Sequence, residues 1–326
     1  MSAATPLEQF KADHWVRFAA PMAECDRRLS VVTGEPGGTL GAASSLILAA
    51  GGKRMRPLLV FLAARSGTEI AEEHIAAAAA VELVHSATLV HDDILDGAQL
   101  RRGQPTPAAR YGSPAGTAAG DFLFSSAFRI LSGAGSAAAV TILAEASLGL
   151  SLGELLQMEQ TRDYGLSQAD YIERCRLKTA GLFSAACTMG ALLSGCSDES
   201  ISAMDGFGLH LGLAFQIADD ILDFTADAAE AGKRAGADLR DGTVTLPLAI
   251  AIAEDPALVE LFVPDPGDMV IEEICKRVSA TGAIEGAREL ALSHIARASG
   301  ELERASGEIE TGPLALVAGM AVDRKA

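Results

Sequence analysis

A chain of 326 residues, 49% hydrophobic and only 21% charged, can bury a large core, and its length alone allows for about two domains. The formal net charge of −17 argues against nucleic acid or an anionic membrane surface as the main partner. Five scattered cysteines (Cys25, Cys175, Cys187, Cys196 and Cys275) form no CxxC pair and read as reduced core thiols of a cytoplasmic protein.

The first residues, MSAATPLEQFKADHW, lack the basic-then-apolar layout of a signal peptide. Beyond them, Ala, Leu and Glu fill long stretches between Gly- and Pro-rich breaks, which predicts helices throughout. They fall near 6–32, 39–50, 54–66, 71–97, 114–132, 136–161, 168–195 and 198–226. Shorter helices follow near 245–253, 255–263, 268–279, 281–305 and 312–323. Ser167 and Ser197 stand where N-caps belong, with acidic residues in the turn after each. GGTLGAASSLILAAGG and IAAAAAVELVHSATLV are apolar, but they are short and Ala-rich, and the second carries Glu82 and His85. They read as buried helices, with no integral membrane segment. No Pro/Ser-rich linker divides the chain, so a single all-α domain over residues 1–326 is expected. Polar loops at 98–113 and 226–244 each follow a DDILD segment.

Those two segments, LVHDDILDG (89–97) and IADDILDF (217–224), carry the chemistry. On a helix, Asp92 and Asp96 share one face with Asp93 about 100° around, and Asp219 and Asp223 repeat this beside Asp220. Like charges this close repel by about 4 kcal/mol at an effective dielectric of 20. Both segments are expected well inside their helices, and each needs a compensating partner. Oxygen ligands suit a hard divalent ion such as Mg²⁺, held by one or two carboxylates plus substrate phosphates. Neither a zinc-type His/Cys set nor an EF-hand loop is present. GGKRMRP (51–57) places Lys53, Arg54 and Arg56 at a helix start, a natural anion site, although it is not a P-loop. Arg101 and Arg102 follow the first segment, while Lys178 and Lys233 stand alone. Together these cations and acids point to two phosphate groups, one held through Mg²⁺ and the other directly.

The ordered set GGKRMRP, HSATLVHDDILDGAQLRRGQPT, GDFLF, LKTAGLF, FQIADDILDF, GKRAGADLRDGTVTLP and LALVAGMAVDR resembles the trans-isoprenyl (polyprenyl) diphosphate synthases over nearly the whole chain. The resemblance implies the isoprenoid synthase type I fold, a single large helical domain around a central cavity. It also implies head-to-tail condensation of an allylic diphosphate with isopentenyl diphosphate, Mg²⁺ at three ions per active site, and a homodimer. Carried over, Asp92, Asp96, Asp219 and Asp223 would hold the metal, and Arg101, Lys178 and Lys233 the allylic diphosphate. Thr179 and Gln216 would line the reacting end. Lys53, Arg56, His85 and Arg102 would form the isopentenyl diphosphate site; His85 lies two turns before Asp92 on the same helix face. The departing diphosphate is the expected proton acceptor, and the loop at 226–244 could close over the site. Many relatives have a lysine where this chain has Thr243, so weaker allylic binding is expected.

Ala87 and Thr88 stand just upstream of the first segment, where short-chain relatives carry bulky aromatics, and Val84 lies further back. Small residues there imply a medium- or long-chain product, and Phe124 or Phe128 could floor the pocket. A C15 or C20 synthase is the alternative product class. A terpene cyclase is disfavoured by the second diphosphate site, and a non-catalytic subunit of a heteromeric synthase by the six retained aspartates.

Overall fold

The computed structural model describes residues 10, 13–225, 236–263, 267–305 and 307–322. The first helices are α1 (Trp15–Gly34), α2 (Gly38–Ala49), α3 (Met55–Leu62) and α4 (Glu72–Leu95). In α4, acidic Glu72 and Glu73 favour the N-terminal turn, and Ala76 to Ala80, strong helix formers, are buried on every side. A helix apolar all round belongs in the middle of a bundle, and α4 packs against α1, α3, α6 (Ser113–Gly133) and α9 (Gly181–Leu193).

Two antiparallel strands of two residues each, β1 (Leu100–Arg101) and β2 (Gln104–Pro105), interrupt the polar loop, followed by α5 (Pro107–Tyr111). The connection is Arg102-Gly103 with φ of 51° and 75°, the positive pair that a two-residue type I′ hairpin requires. Next come α7 (Ala137–Glu159) and α8 (Gln168–Cys175), capped by Ser167, whose Oγ accepts from the Asp170 N–H at 3.1 Å. A single π-helical turn, Arg176–Ala180, joins α8 to α9. α10 (Asp198–Thr225) begins at Ser197, whose Oγ accepts from Ser200 N–H at 3.3 Å.

The remaining elements are α11 (Ala237–Asp241), α12 (Leu246–Glu254), a 3₁₀ turn (Pro256–Leu261), α13 (Asp268–Ala280), α14 (Ala283–Ala305) and α15 (Thr311–Val322). The apolar interior forms two clusters that share α10. Ala203, Met204, Phe207 and Leu211 face the cluster containing α4, whereas Leu213, Ile217, Ile221 and Phe224 face the one formed with α12 to α14. The all-α expectation therefore holds apart from the four strand residues.

The helices around the site touch almost backbone to backbone. A Cβ on Gly212 would lie 2.5 Å from Ala180 Cα, one on Gly208 2.6 Å from Ser184 Cα, and one on Gly153 2.6 Å from Lys178 N. Glycine at these positions lets α10 and α7 close on the π turn from both sides.

Candidate active site

Both acidic segments lie at the ends of their helices, which corrects the expectation that they sit well inside. α4 stops at Leu95 with Asp96 as its C-cap, because Gly97 turns left-handed at φ 63°. The Gly97 N–H donates to Ile94 O and the Ala98 N–H to Asp93 O, the Schellman pattern. α10 ends at Thr225, two residues after Asp223. Carboxylates at helix C-termini face the negative end of the helix dipole, so the fold places these acids where they are least stable without a cation.

Asp92 and Asp219 both line a cavity of about 870 Å³. Its walls come from α4, the 51–56 segment, α7, the π turn, α9 and α10, with Arg102, α2 Ile47 and α6 Phe124 closing the sides. Burial, reinforced by Glu154 and Asp96 against the pull of Lys178, pushes the Asp92 carboxyl up to about 6. Asp96 is exposed beside it and is raised by the same kinds of cause. The middle aspartates turn away from the cavity. Asp93, buried, takes a forked contact from Arg101, with Nε at 2.9 Å and 3.0 Å from its two oxygens. Asp220, also buried, accepts from Tyr171 Oη and Gln216 Nε2, both at 2.7 Å, and burial pushes it up to about 7. Asp223 accepts from the Ala237 and Asp238 N–H groups at 3.0 and 3.1 Å and so caps α11.

The predicted cations divide in the same way. Lys53, Arg56, His85, Arg102, Lys178, Thr179 and Gln216 line the cavity; Arg101, Asp96 and Asp223 lie outside its lining. Arg56 is half-buried over the Phe183 ring, 4.6 Å from its centroid, and burial lowers its guanidinium to about 10. Among the described residues its Nε has no hydrogen-bond partner. Such a buried, orphaned N–H is costly unless an anion meets it. Burial and the flanking arginines hold His85 well below the usual imidazole range, so it is neutral. Arg54, expected among the anion-binding cations, also lines the cavity but is paired with Glu82 at 2.7 Å and Asp26 at 3.1 Å. A Cβ on Gly52 would stand 3.1 Å from Arg102 Nη1, so the glycine makes room for that guanidinium. Lys178 is paired with Glu154.

Glu82 and Glu154 both line the cavity and were not singled out in the sequence, where a lone Glu in a helix reads as solvated. Thr88 is on the cavity wall, whereas Ala87 and Val84 are packed fully into the core behind it. Phe124 lines the cavity, and Phe128 stacks behind it at 5.4 Å without reaching it. Thr243 is outside the lining and donates its N–H to Asp238 O at 2.8 Å. Lys233 and most of the 226–244 loop lie outside the described residues.

Comparison with known proteins decides the family. The family model described as Polyprenyl synthetase matches residues 38–273. The chain belongs to the polyprenyl synthetase family. It is 34% identical to octaprenyl diphosphate synthase of Escherichia coli strain K12 over 262 residues, covering 79% of this chain and 81% of that protein. It is 38% identical to heptaprenyl diphosphate synthase component 2 of Geobacillus stearothermophilus over 258 residues, 78% and 80% of the two chains. A crystal structure of a polyprenyl synthase from Caulobacter crescentus CB15, complexed with calcium and isoprenyl diphosphate, superposes with a TM-score of 0.88. That match has 35% identity and covers 96% and 97% of the two chains. This member of the family therefore has the helical isoprenoid synthase fold and is an enzyme that transfers prenyl groups to make polyprenyl diphosphates.

Among the described residues no three His, Cys, Asp or Glu side chains form a metal-binding group by themselves. A polyprenyl synthetase fits that pattern if substrate phosphates complete the coordination sphere, as Mg²⁺ commonly requires. The acidic groups on the cavity wall, Asp92, Asp219, Glu82 and Glu154, offer oxygen ligands, and Asp92 is poised against neighbouring carboxylates, so a hard cation suits it.

Proposed function

We propose that this enzyme joins an allylic diphosphate head to tail with isopentenyl diphosphate and builds a medium- or long-chain all-trans product. The observation that carries the proposal is the meeting, at one cavity, of two carboxylate clusters at helix C-termini and a half-buried arginine whose buried Nε–H is orphaned among the described residues. In this reading Asp92, Asp96 and Asp219 hold Mg²⁺, three ions per site. Asp223 joins them only as far as its bonds to α11 allow. Magnesium, when bound, supplies positive charge that stabilises the diphosphate as it departs.

Lys178 holds the allylic diphosphate, with Arg101 and Lys233 assigned the same role, while Lys53, Arg56 and Arg102 hold isopentenyl diphosphate. Neutral His85 adds a hydrogen bond to that second site. Thr179 and Gln216 flank the carbon where positive charge develops, and preoriented oxygens there stabilise it. Ile47, Leu89, Leu150 and Phe215 give an apolar wall that excludes water from the cation. The departing diphosphate takes the proton released after the new bond forms. A longer product is favoured because Thr88 leaves the wall open where a bulky residue would block it.

The enzyme acts, in our reading, as a cytoplasmic homodimer of single-domain subunits. Among the described residues one helix, α7, has the length and apolar character to cross a membrane. It contributes Ser147, Leu150, Ser151 and Glu154 to the cavity wall, which is a better account of its composition. Its outer face carries exposed Leu148, Leu152, Leu155 and Met158 at helical spacing, a stripe that suits a second copy.

The test is incubation of the pure protein with Mg²⁺, isopentenyl diphosphate and C10, C15 or C20 primers. Products beyond C20 are expected, and Asp92→Asn or Asp219→Asn should each abolish them. No product from any primer would refute the synthase reading.

A further inference from the structure

Thr179 and Gln216 line the cavity, yet their orientation is decided two residues deeper, by Asp220 and Tyr171, neither of which lines it. Thr179 Oγ1 lies 2.7 Å from Gln216 Oε1, Gln216 Nε2 lies 2.7 Å from Asp220 Oδ1, and Tyr171 Oη lies 2.7 Å from Asp220 Oδ2. Direction in such a chain is set by the member with least choice. Asp220 accepts at both of its oxygens, so the Gln216 amide turns its NH₂ toward Asp220 and its carbonyl toward Thr179. Thr179 must then donate, and its oxygen lone pairs remain for the cavity side.

Tyr171 is fully buried on α8, with the Arg174 guanidinium 5.5 Å from its ring centroid. Arg174 is itself fixed by Gln160 Oε1 at 3.0 Å and Val244 O at 2.6 Å. By donating to the second carboxylate oxygen, the tyrosine holds Asp220 in the one rotation that presents its other oxygen to Gln216.

We propose that Tyr171 is a positioning residue that, through Asp220 and Gln216, keeps the Thr179 hydroxyl proton turned away from the cavity. Resting on the prenyl-transfer reading, this presents an electron-rich oxygen to the developing allylic cation in place of an O–H dipole of the wrong sign. Neither Tyr171 nor Asp220 contacts substrate in this scheme.

Tyr171→Phe should lower kcat by roughly tenfold to a hundredfold, the scale of leaving one buried hydrogen-bonding oxygen without its donor, with KM for isopentenyl diphosphate unchanged. In a Thr179→Val background the same substitution should add almost nothing, because the group it orients is gone. If Tyr171→Phe folds poorly, Asp220→Asn asks the same question, since an amide cannot accept at both ends and the direction of the chain is lost.

A readout independent of turnover is the Gln216 side-chain amide in ¹⁵N-glutamine-labelled protein, assigned by its loss in Gln216→Leu. It should shift in both variants. An unchanged amide signal overturns the relay whether or not the wild type makes product. So does an unchanged kcat in an active enzyme, or a loss that adds fully to that of Thr179→Val. Absence of product from the wild type would instead refute the synthase reading, and the amide signal would still decide the relay.

Discussion

At the scale of single residues, neighbours in sequence hold unrelated posts. Asp92 faces the cavity while Asp93 clamps Arg101; Asp219 faces it while Asp220 anchors Gln216; Arg56 and Arg54 both line it, but Arg54 is spent on Glu82 and Asp26. The same alternation decides which position upstream of the first acidic segment limits product length. Thr88 is on the wall and Ala87 is in the core, so Thr88→Phe should shorten the product, as chain-length analysis of the dephosphorylated alcohols would show. Ala87→Tyr should act mainly on stability, because overpacking a closed core site typically costs about 1–3 kcal/mol. A shortened product from Ala87→Tyr with none from Thr88→Phe would reverse this assignment.

At the scale of elements, the site depends on glycines that let helices approach the π turn. Gly212→Ala would drive a methyl to within 2.5 Å of the Ala180 backbone. It should lower the melting temperature by several degrees and reduce activity with it, since Thr179 precedes Ala180 directly; an unchanged melting curve would show that α10 yields. The sequence made the helices legible because Ala, Leu and Glu runs are cut by Gly and Pro, and the two acidic segments stood out because so many like charges in apolar flanks need explanation. Less legible was where α4 ends, which turns on the left-handed Gly97 alone. The Arg102-Gly103 hairpin was hidden because arginine seldom takes positive φ. The π turn has no compositional mark, and Tyr171, Glu82 and Glu154 acquire their partners only through contacts between elements distant in sequence.

At the scale of the whole molecule, α7 serves two surfaces at once, a cavity wall inside and an apolar stripe outside. Leu152→Glu should convert the proposed dimer to a monomer, as light scattering coupled to size exclusion would measure; a wild type that is already monomeric would place the stripe's partner elsewhere. If α7 does meet a second copy, removing that copy should also loosen Lys178, which Glu154 holds from the same helix. The hairpin after α4 has a comparable reach. One of its arginines is bolted to Asp93, beside Asp92, and the next lines the cavity next to the 51–56 segment. The hairpin therefore ties Arg102 to the carboxylate end of α4 through Arg101. On the assignment proposed above, this one hairpin links the seats of the two diphosphates.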